Sequence, residues 1–585
     1  MILNLMILFL TRHSRQKLIN QIKLRVSHTI KAAIQQAINQ NEISLESIPD
    51  IIFSPTKGPE QGDIATPIAM SLSKPAKMPP RQIAEKIVKH LVDDPLIRQV
   101  EIAGPGFINL FISEDWLYDL LENIVHQDKN YGRSQSNISK RILIEFVSAN
   151  PTGPLNIVSG RAAVVGDVLA NLLNATNQNV TCEFYINDAG KQVERLGASI
   201  DIRYRQLLGE KELEIPEDGY HGTYLIDLAQ LIVESVGKQY LQLDRDIRIN
   251  KFKDIGIQHL LDDQKSILER FGVEFDVWTS EQKIRNDKKP EQIIEIFKQK
   301  NLLYESEGAT WFQMTKFGND KDCVVVKSDG EFTYFVPDAA YHRDKFDRGF
   351  DLLIDILGPD HQGHIAHLDH LIKALGYSTE QFEGLIVQQV NLVHPDGNRV
   401  EMSKRKGHLY TLNQLIDELT EIVGEQFAVD VARYFFLNRT NNSHLDFDIK
   451  LAVTRANDNP SFYVQYAHAR CCSIFREMKD RKIDQLPINQ VKLNLLAIDE
   501  ETQIIKKMAD YPEVIMNAAK EREPYRIPKY LYELASQFHT FYNKSRVLDT
   551  KHQDLMQSRL VLVRCVQIVI ANGLKLLGIS APEKM

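Results

Sequence analysis

Residues 142–173 constrain this chain more than any other stretch. Ile142-Leu143-Ile144-Glu145-Phe146-Val147 is a short apolar run of the kind that is buried in a parallel sheet. Pro151-Thr152-Gly153-Pro154 then breaks the chain, and a helical pattern follows from Ala162 to Leu173, with Gly and Ala where close packing suits. Strand, turn and helix in that order open a nucleotide-binding α/β fold. Further apolar runs at Cys323-Val324-Val325-Val326 and Leu352-Leu353-Ile354-Asp355-Ile356-Leu357 supply more strands, so the charged, helix-patterned residues 195–305 read as an insertion.

A chain of 585 residues exceeds one core, because single cores stop growing near ~250 to 300 residues. Three domains are expected. Residues 1–125 mix an apolar-periodic helix (Leu18, Ile22, Leu24, Ile30, Ala33, Ile34) with extended runs ending in Val100–Leu110, a small α/β module. Polar residues 128–140 lead into the nucleotide-binding domain, 126–424, and the chain is helical in pattern from 425 to 585. Hydrophobic residues at 43% and charged residues at 25% exclude a disordered chain. The net charge of -8 argues against indiscriminate coating of nucleic acid and leaves room for a local basic face.

Cysteines at 182, 323, 471, 472 and 565 form neither a disulfide framework nor a paired zinc spacing, which points to a reduced, cytoplasmic setting. The apolar opening Met1–Leu10 lacks a preceding basic region and a cleavage site. It falls short of the ~20 residues that a membrane helix needs and reads as a mis-assigned start or a pre-helical extension.

Five stretches, in order, carry a family resemblance: Glu145–Leu155, Tyr185-Ile186-Asn187-Asp188-Ala189-Gly190-Lys191-Gln192, Tyr334–Asp338, Met402-Ser403-Lys404-Arg405-Lys406-Gly407, and Asn459–Arg470, followed by Leu577–Glu583 near the end. The chain resembles the arginyl-tRNA synthetases of class I over nearly its whole length. The resemblance implies a Rossmann-like catalytic domain with an insertion, a small α/β N-terminal domain that contacts tRNA and an all-helical C-terminal domain that binds the anticodon. It implies ATP-dependent ligation of L-arginine to its tRNA through an arginyl-adenylate. ATP with Mg2+ is expected, together with a monomer free of membranes and a need for bound tRNA before activation.

Carried over residue by residue, the resemblance assigns arginine to Glu145, Asn150, Asp188, Tyr334, Asp338 and His361. Chemistry supports it, since a guanidinium presents a planar fork of five donors that favours carboxylate partners. Glu145 stands out because an unpaired charge inside an apolar strand is costly. Met402, Ser403 and Lys404 resemble the loop set against the ATP phosphates, where positioned cations stabilise the charge that develops as pyrophosphate leaves. Where many relatives begin this loop with lysine, this chain has Glu401.

The signature expected as His-x-Gly-His reads Asn156-Ile157-Val158-Ser159. Asn156 and Ser159 can still donate hydrogen bonds to ATP, and with Lys404 they are the candidate catalytic groups. Val158 puts a β-branched side chain where glycine lets the nucleotide approach the backbone. Two histories fit: a working enzyme with a drifted signature, or an inactive tRNA-binding or regulatory paralogue. Persistence of Glu145, Asn150, Asp188, Tyr334, Asp338 and Lys404 favours the enzyme. A third reading, transfer of activated arginine to another acceptor, is opposed by the retained Tyr463, Tyr466 and Arg470.

For tRNA, Phe107 and Asn109 match the position that reads the D-loop, although Phe107 also suits a core. Tyr463, Tyr466 and Arg470, at helical spacing with His468, suit either a packed helix face or stacking on anticodon bases. Asp430-Val431-Ala432-Arg433 matches the signature of the anticodon-binding domain and reads as structural. His361, His364, His367 and His370 invite a metal. Each three-residue step turns a helix ~60° backward, so the first and last point apart and no resident metal is expected.

Overall fold

The computed structural model describes residues 15–45, 47–54, 62–91, 94, 97–113, 115–134, 139–393 and 410–585, with side chains from Val26 onward. Its centre is a five-stranded parallel sheet of β4 (Arg141–Glu145), β5 (Asn179–Ile186), β6 (Val277–Ser280), β10 (Leu352–Leu357) and β11 (Phe382–Ile386), in the order β11-β10-β4-β5-β6. The apolar run from Ile142 therefore supplies the middle strand of the sheet. Side chains alternate across a strand, so Ile142 and Ile144 enter one core while Leu143 enters another. The first core packs α5 (Ile157–Ala175) on the sheet, and the second packs α11 (Phe335–Asp347) and α12 (Gln362–Leu375).

The charged stretch 195–305 holds mostly helices, with a strand of the central sheet among them. Between β5 and β6 lie α6 (Lys191–Leu207), α7 (Tyr224–Val236) and α8 (Arg245–Arg270), which share a core of their own around Leu196, Ile200, Tyr204, Leu225 and Phe252. Strand β6, inside the stretch read as insertion, belongs to the central sheet. After the short α9 (Glu281–Asn286) and α10 (Lys289–Gln299) comes an antiparallel sheet of β7 (Leu303–Ser306), β8 (Ala309–Phe312) and β9 (Cys323–Val326). The Cys323–Val326 run thus forms a strand outside the parallel sheet. Four residues of β-branched and apolar character suit either sheet, and only long-range pairing chooses.

The N-terminal module pairs β1 (Ile64–Thr66), β2 (Ile97–Ala103) and β3 (Phe107–Ile112) antiparallel, with α1 (Arg15–Asn39), α2 (Ile68–Ala76) and α3 (Pro80–Lys89) around a core holding Ile30, Ala33 and Ile34. Helix α4 (Asp115–Gln127), assigned above to this module, instead buries Leu117, Leu120, Leu121 and Ile124 in the large central core.

That core continues through α13 (Leu412–Val423) and α14 (Glu425–Phe436) into α16 (Pro460–Asp480), α17 (Asp499–Lys520), α18 (Arg526–Lys544) and α19 (Gln553–Leu576). The C-terminal part is not wholly helical: β13 (Leu445–Asp448) precedes the short α15 (Ile449–Val453) and pairs parallel with β12 (Val390–Val393). Among the described residues no helix is long and apolar enough to cross a membrane.

Two buried arginines join the parts. Arg161, on α5, donates to the carbonyls of Gln388, Thr440 and Ser443, and burial pushes its guanidinium down to about 10. Arg433, on α14, donates to the carbonyls of Phe271, Gly272 and Leu577 and to the Asp167 carboxylate on α5. Asp430 accepts from the amide and hydroxyl of Ser580 and from Gln465. Asp430 and Arg433 are therefore structural, each bonded to distant backbone.

Candidate active site

From β4 the sheet grows in one direction through β5 and β6, and in the other through β10 and β11. The crevice beyond the carboxyl ends of β4 and β10 is thus the topological switch point, where α/β sheets bind ligands. A cleft of about 740 Å³ opens there, lined by Val147–Asn150 and Thr152–Asn156 after β4 and by Ile356–His361 at and beyond the end of β10, with Val158, Ser159, Gln192 and Arg195 on its walls.

Asn156 is the N-cap of α5: its Oδ1 accepts from the Ser159 amide at 2.9 Å and from the Ser159 hydroxyl at 3.2 Å. The two replaced histidines therefore bind each other. The Ser159 hydroxyl proton, expected to point at ATP, is directed at Asn156. The Asn156 amide nitrogen and the first-turn N–H groups remain as donors at the positive end of the helix dipole. Val158 lies half-buried on the cleft wall, where the sequence placed its steric problem. Met402, Ser403 and Lys404 lie outside the described residues. The chain re-enters beside the signature, with Thr411 bridged to Asn156 and the Leu412 amide donating to the Leu155 carbonyl at 2.8 Å.

Immediately after β4, Val147 (φ 68) and Ser148 (φ 39) occupy left-handed backbone, a conformation strained for a β-branched residue. The turn brings the Ser148 hydroxyl to Glu145 Oε1 at 2.7 Å and to the Tyr185 amide at 3.1 Å. In strand register Glu145 sits between Asp355 and Glu183, so three acids form a row across β10, β4 and β5. Helix α11 answers with cations. Lys345, wholly buried, reaches Glu145 at 2.5 Å and Asp355 at 2.8 Å, and Arg348 holds Glu183 at 2.7 Å. Burial pushes the Glu145 carboxyl up despite Lys345. Burial also opposes the charge on Asp355, but Lys345 and His342 hold its carboxyl well below the usual range.

Glu145 is accordingly already paired, by partners that sequence reasoning missed. Glu183 and Asp355 carried the same signal as Glu145, a charge inside an apolar strand. Asp188 is also engaged: it accepts from Ser280 at 2.6 Å and the Gln282 amide at 2.8 Å at the start of α9. Asn150 donates to Gln192 at 2.6 Å on the cleft rim. Tyr334 (65% exposed) precedes α11, Asp338 stands on its first turn, and His361 caps α12 while lining the cleft. Asp338 Oδ2 lies 3.2 Å from Nε2 of His364, a residue assigned no role above. Tyr334, Asp338 and His361 each stand near the His364 ring, but Tyr334 lines a separate cavity with Phe335 and His367, and Glu145 and Asp188 are bound to partners of their own.

Of the residues expected at tRNA, Asn109 is 5% exposed, buried in the three-stranded sheet, whereas Phe107 is half-buried. Tyr463, Tyr466 and Arg470 form a connected face of α16. Arg470 donates to the Tyr466 hydroxyl at 2.8 Å, lies over the Tyr466 and Tyr542 rings at 4.6 Å each, and is 3.0 Å from His539 Nδ1. Burial pushes the His539 ring down to about 4, so it is neutral and accepts from Arg470. Tyr532, 41% exposed, extends the aromatic face against Tyr463. His539 and Tyr542 lie on a separate helix, beyond the reach of a local pattern.

Three family descriptions match in order: the arginyl tRNA synthetase N terminal domain over residues 26–112, the catalytic domain of class I (R) tRNA synthetases over residues 120–428, and the DALR anticodon binding domain over residues 464–585. An arginine--tRNA ligase of Shouchella clausii is 43% identical, with 96% of this chain and 99% of that protein covered. One of Desulforamulus reducens is 42% identical, with 97% and 100% covered. The solved arginyl-tRNA synthetase of Thermus thermophilus shares the fold at a TM-score of 0.70 and 20% identity, covering 96% of this chain and 100% of that one.

Proposed function

Since the chain belongs to the class I arginyl-tRNA synthetases and carries out ATP-dependent ligation of arginine to tRNA, we propose that the switch-point cleft binds ATP and that Tyr334, Asp338 and His361 hold the arginine beside it. The observation that carries this reading is the shared position of His361, which lines the cleft and stands 6.1 Å from the His364 ring that touches Asp338. Nothing favours a catalytically silent paralogue, because the relatives matched over nearly the full length are ligases.

In the first step the arginine carboxylate attacks the α-phosphorus of ATP, and the bond to the bridging oxygen breaks to release pyrophosphate. A hydroxyl of the terminal adenosine of tRNA then attacks the carbonyl of arginyl-adenylate and expels AMP. The protein supplies orientation and charge. Asn156 and the first turn of α5 donate to the nucleotide, and Lys404 neutralises the departing phosphates. Asp338 pairs with the guanidinium, Tyr334 covers it, and Asn150 meets the amino-acid end. Glu145 acts as part of the row of acids that Lys345 and Arg348 tie to α11. Magnesium, which takes oxygen ligands and keeps phosphates and waters, would enter on ATP, with Asp360 and Asp218 as the carboxylates that line the cleft.

Phe107 and the Tyr463, Tyr466, Arg470 face are the surfaces for tRNA, and the enzyme acts as a cytoplasmic monomer. Separate titrations test the assignment: Asn156→Ala should raise the KM for ATP, and Asp338→Asn the KM for arginine, in tRNA-dependent pyrophosphate exchange. Movement of both constants together in either variant would sink the division of the site.

A further inference from the structure

His364 lies among the residues that the proposed function gives to arginine. Its Nε2 is 3.2 Å from Asp338 Oδ2, and its ring centre is 6.1 Å from those of Tyr334 and of His361. A free aspartate carboxylate turns easily about its last torsion, whereas a guanidinium demands a set plane from its acceptor. We propose that His364 is a positioning residue for the amino acid: by donating Nε2–H to one oxygen of Asp338, it turns the other toward the guanidinium. The inference rests on the reading that Asp338 binds the arginine side chain.

Charge separates this role from simple packing. A neutral imidazole orients Asp338 and leaves its negative charge intact. A protonated one forms an ion pair with Asp338 and competes with the substrate cation. The bond to Asp338 raises the His364 ring above its ordinary value, against burial. The groups around it are Asp338 of α11 and Tyr334 just before that helix, His361 at the cap of its own helix, and His367 on it, where burial lowers His367. Farther off, Asp355 and Glu145 of the sheet also favour the charged form. Charges on other elements packed against α12 are the exposed Asp360 just before it, Lys316 on the Asn301 carbonyl, Glu383 on Arg522, and the exposed Glu380. Arginine binding must therefore weaken as pH falls through the His364 transition.

The test measures the KM for arginine and kcat in tRNA-dependent pyrophosphate exchange, on the full chain, from about pH 8.5 to about pH 6. In the parent the arginine KM should climb as pH falls. His364→Gln keeps a donor without a titrating group and should flatten that climb while staying within about threefold of the parent at high pH. His364→Leu should raise the arginine KM about tenfold at high pH and leave it nearly flat as pH falls, so that the gap to the parent narrows in acid, with the KM for ATP unmoved and kcat changing far less. An acid climb that persists in His364→Gln, or a parental KM in His364→Leu, overturns the proposal. Asp338→Asn run alongside separates the premise. If it leaves the arginine KM unchanged, both readings fall; if it raises KM and His364→Leu does not, only the role of His364 falls.

Discussion

Lys345→Met tests the buried acid row most directly. Lys345 has no exposed surface and binds Glu145 at 2.5 Å and Asp355 at 2.8 Å. At an effective dielectric near 20, a pair about 2.8 Å apart carries about 6 kcal/mol of gross attraction. Desolvation of the ions offsets most of it, and loss of one partner from a buried pair typically costs about 3 to 5 kcal/mol. Methionine fills the volume, so the loss isolates charge: two carboxylates, neighbours in strand register, are left facing each other in a dry interior. In the parent, Lys345 and His342 hold Asp355 below its ordinary range, so Asp355 contributes stability above that range and loses it as pH falls. In Lys345→Met the sign reverses. Asp355 moves above its unfolded value and Glu145, already raised by burial, rises further, so the folded state gains affinity for protons and acidification from about pH 7.5 to about pH 5.5 narrows the deficit. Thermal melts followed by circular dichroism at both pH values provide the measure, read as apparent midpoints because a chain of several domains need not melt in one step. Lys345→Met combined with Glu145→Gln and Asp355→Asn should recover much of the loss. A midpoint equal to that of the parent at pH 7.5, or a deficit that does not shrink on acidification, would refute the reasoning.

Three further outcomes are expected. Val158→Gly should open the cleft wall and lower the KM for ATP about threefold in pyrophosphate exchange, a change of ~0.7 kcal/mol, with little effect on the arginine KM. Arg470→Ala removes the bond to Tyr466 and the cation above two rings, and should raise the KM for tRNA about tenfold or more, given ~1 to 3 kcal/mol per stacked base. Gly578→Ala should cost about 3 kcal/mol or more in a thermal melt, because Gly578 has φ 65 and an added methyl would overlap the Arg433 guanidinium.

Much of this architecture is legible in the chain. The middle strand, the breaker and α5 follow from periodicity, and the motifs that name the family lie in order along the sequence. Other features are invisible there for a physical reason. Asp355 and Glu183 stand in apolar strands as Glu145 does, but their alignment into one row depends on register, which no strand encodes alone. The cation that answers them, Lys345, comes from a helix two hundred residues beyond Glu145. His364 fits one member of a histidine series until α11 is laid against α12. Asp188 resembles a free acid in sequence and is an acceptor for two groups at the start of α9 in the fold. Asn156 and Ser159 show the converse: both positions are found from sequence, while their bond to each other comes from the helix cap.

The two buried arginines make the joint between the modules a splice and leave no hinge there. For the anticodon-side helices to swing independently of the sheet, Arg161 and Arg433 would have to release backbone carbonyls in a dry interior, each unmade bond costing ~1 to 3 kcal/mol. Both guanidiniums converge on α5, one from its first turns and one through Asp167 midway along it. A helix of 19 residues is a stiff shaft ~28 Å long. A torque applied to the C-terminal helices has no slack to take up before it reaches the end of that shaft, where Asn156 lines the switch-point cleft.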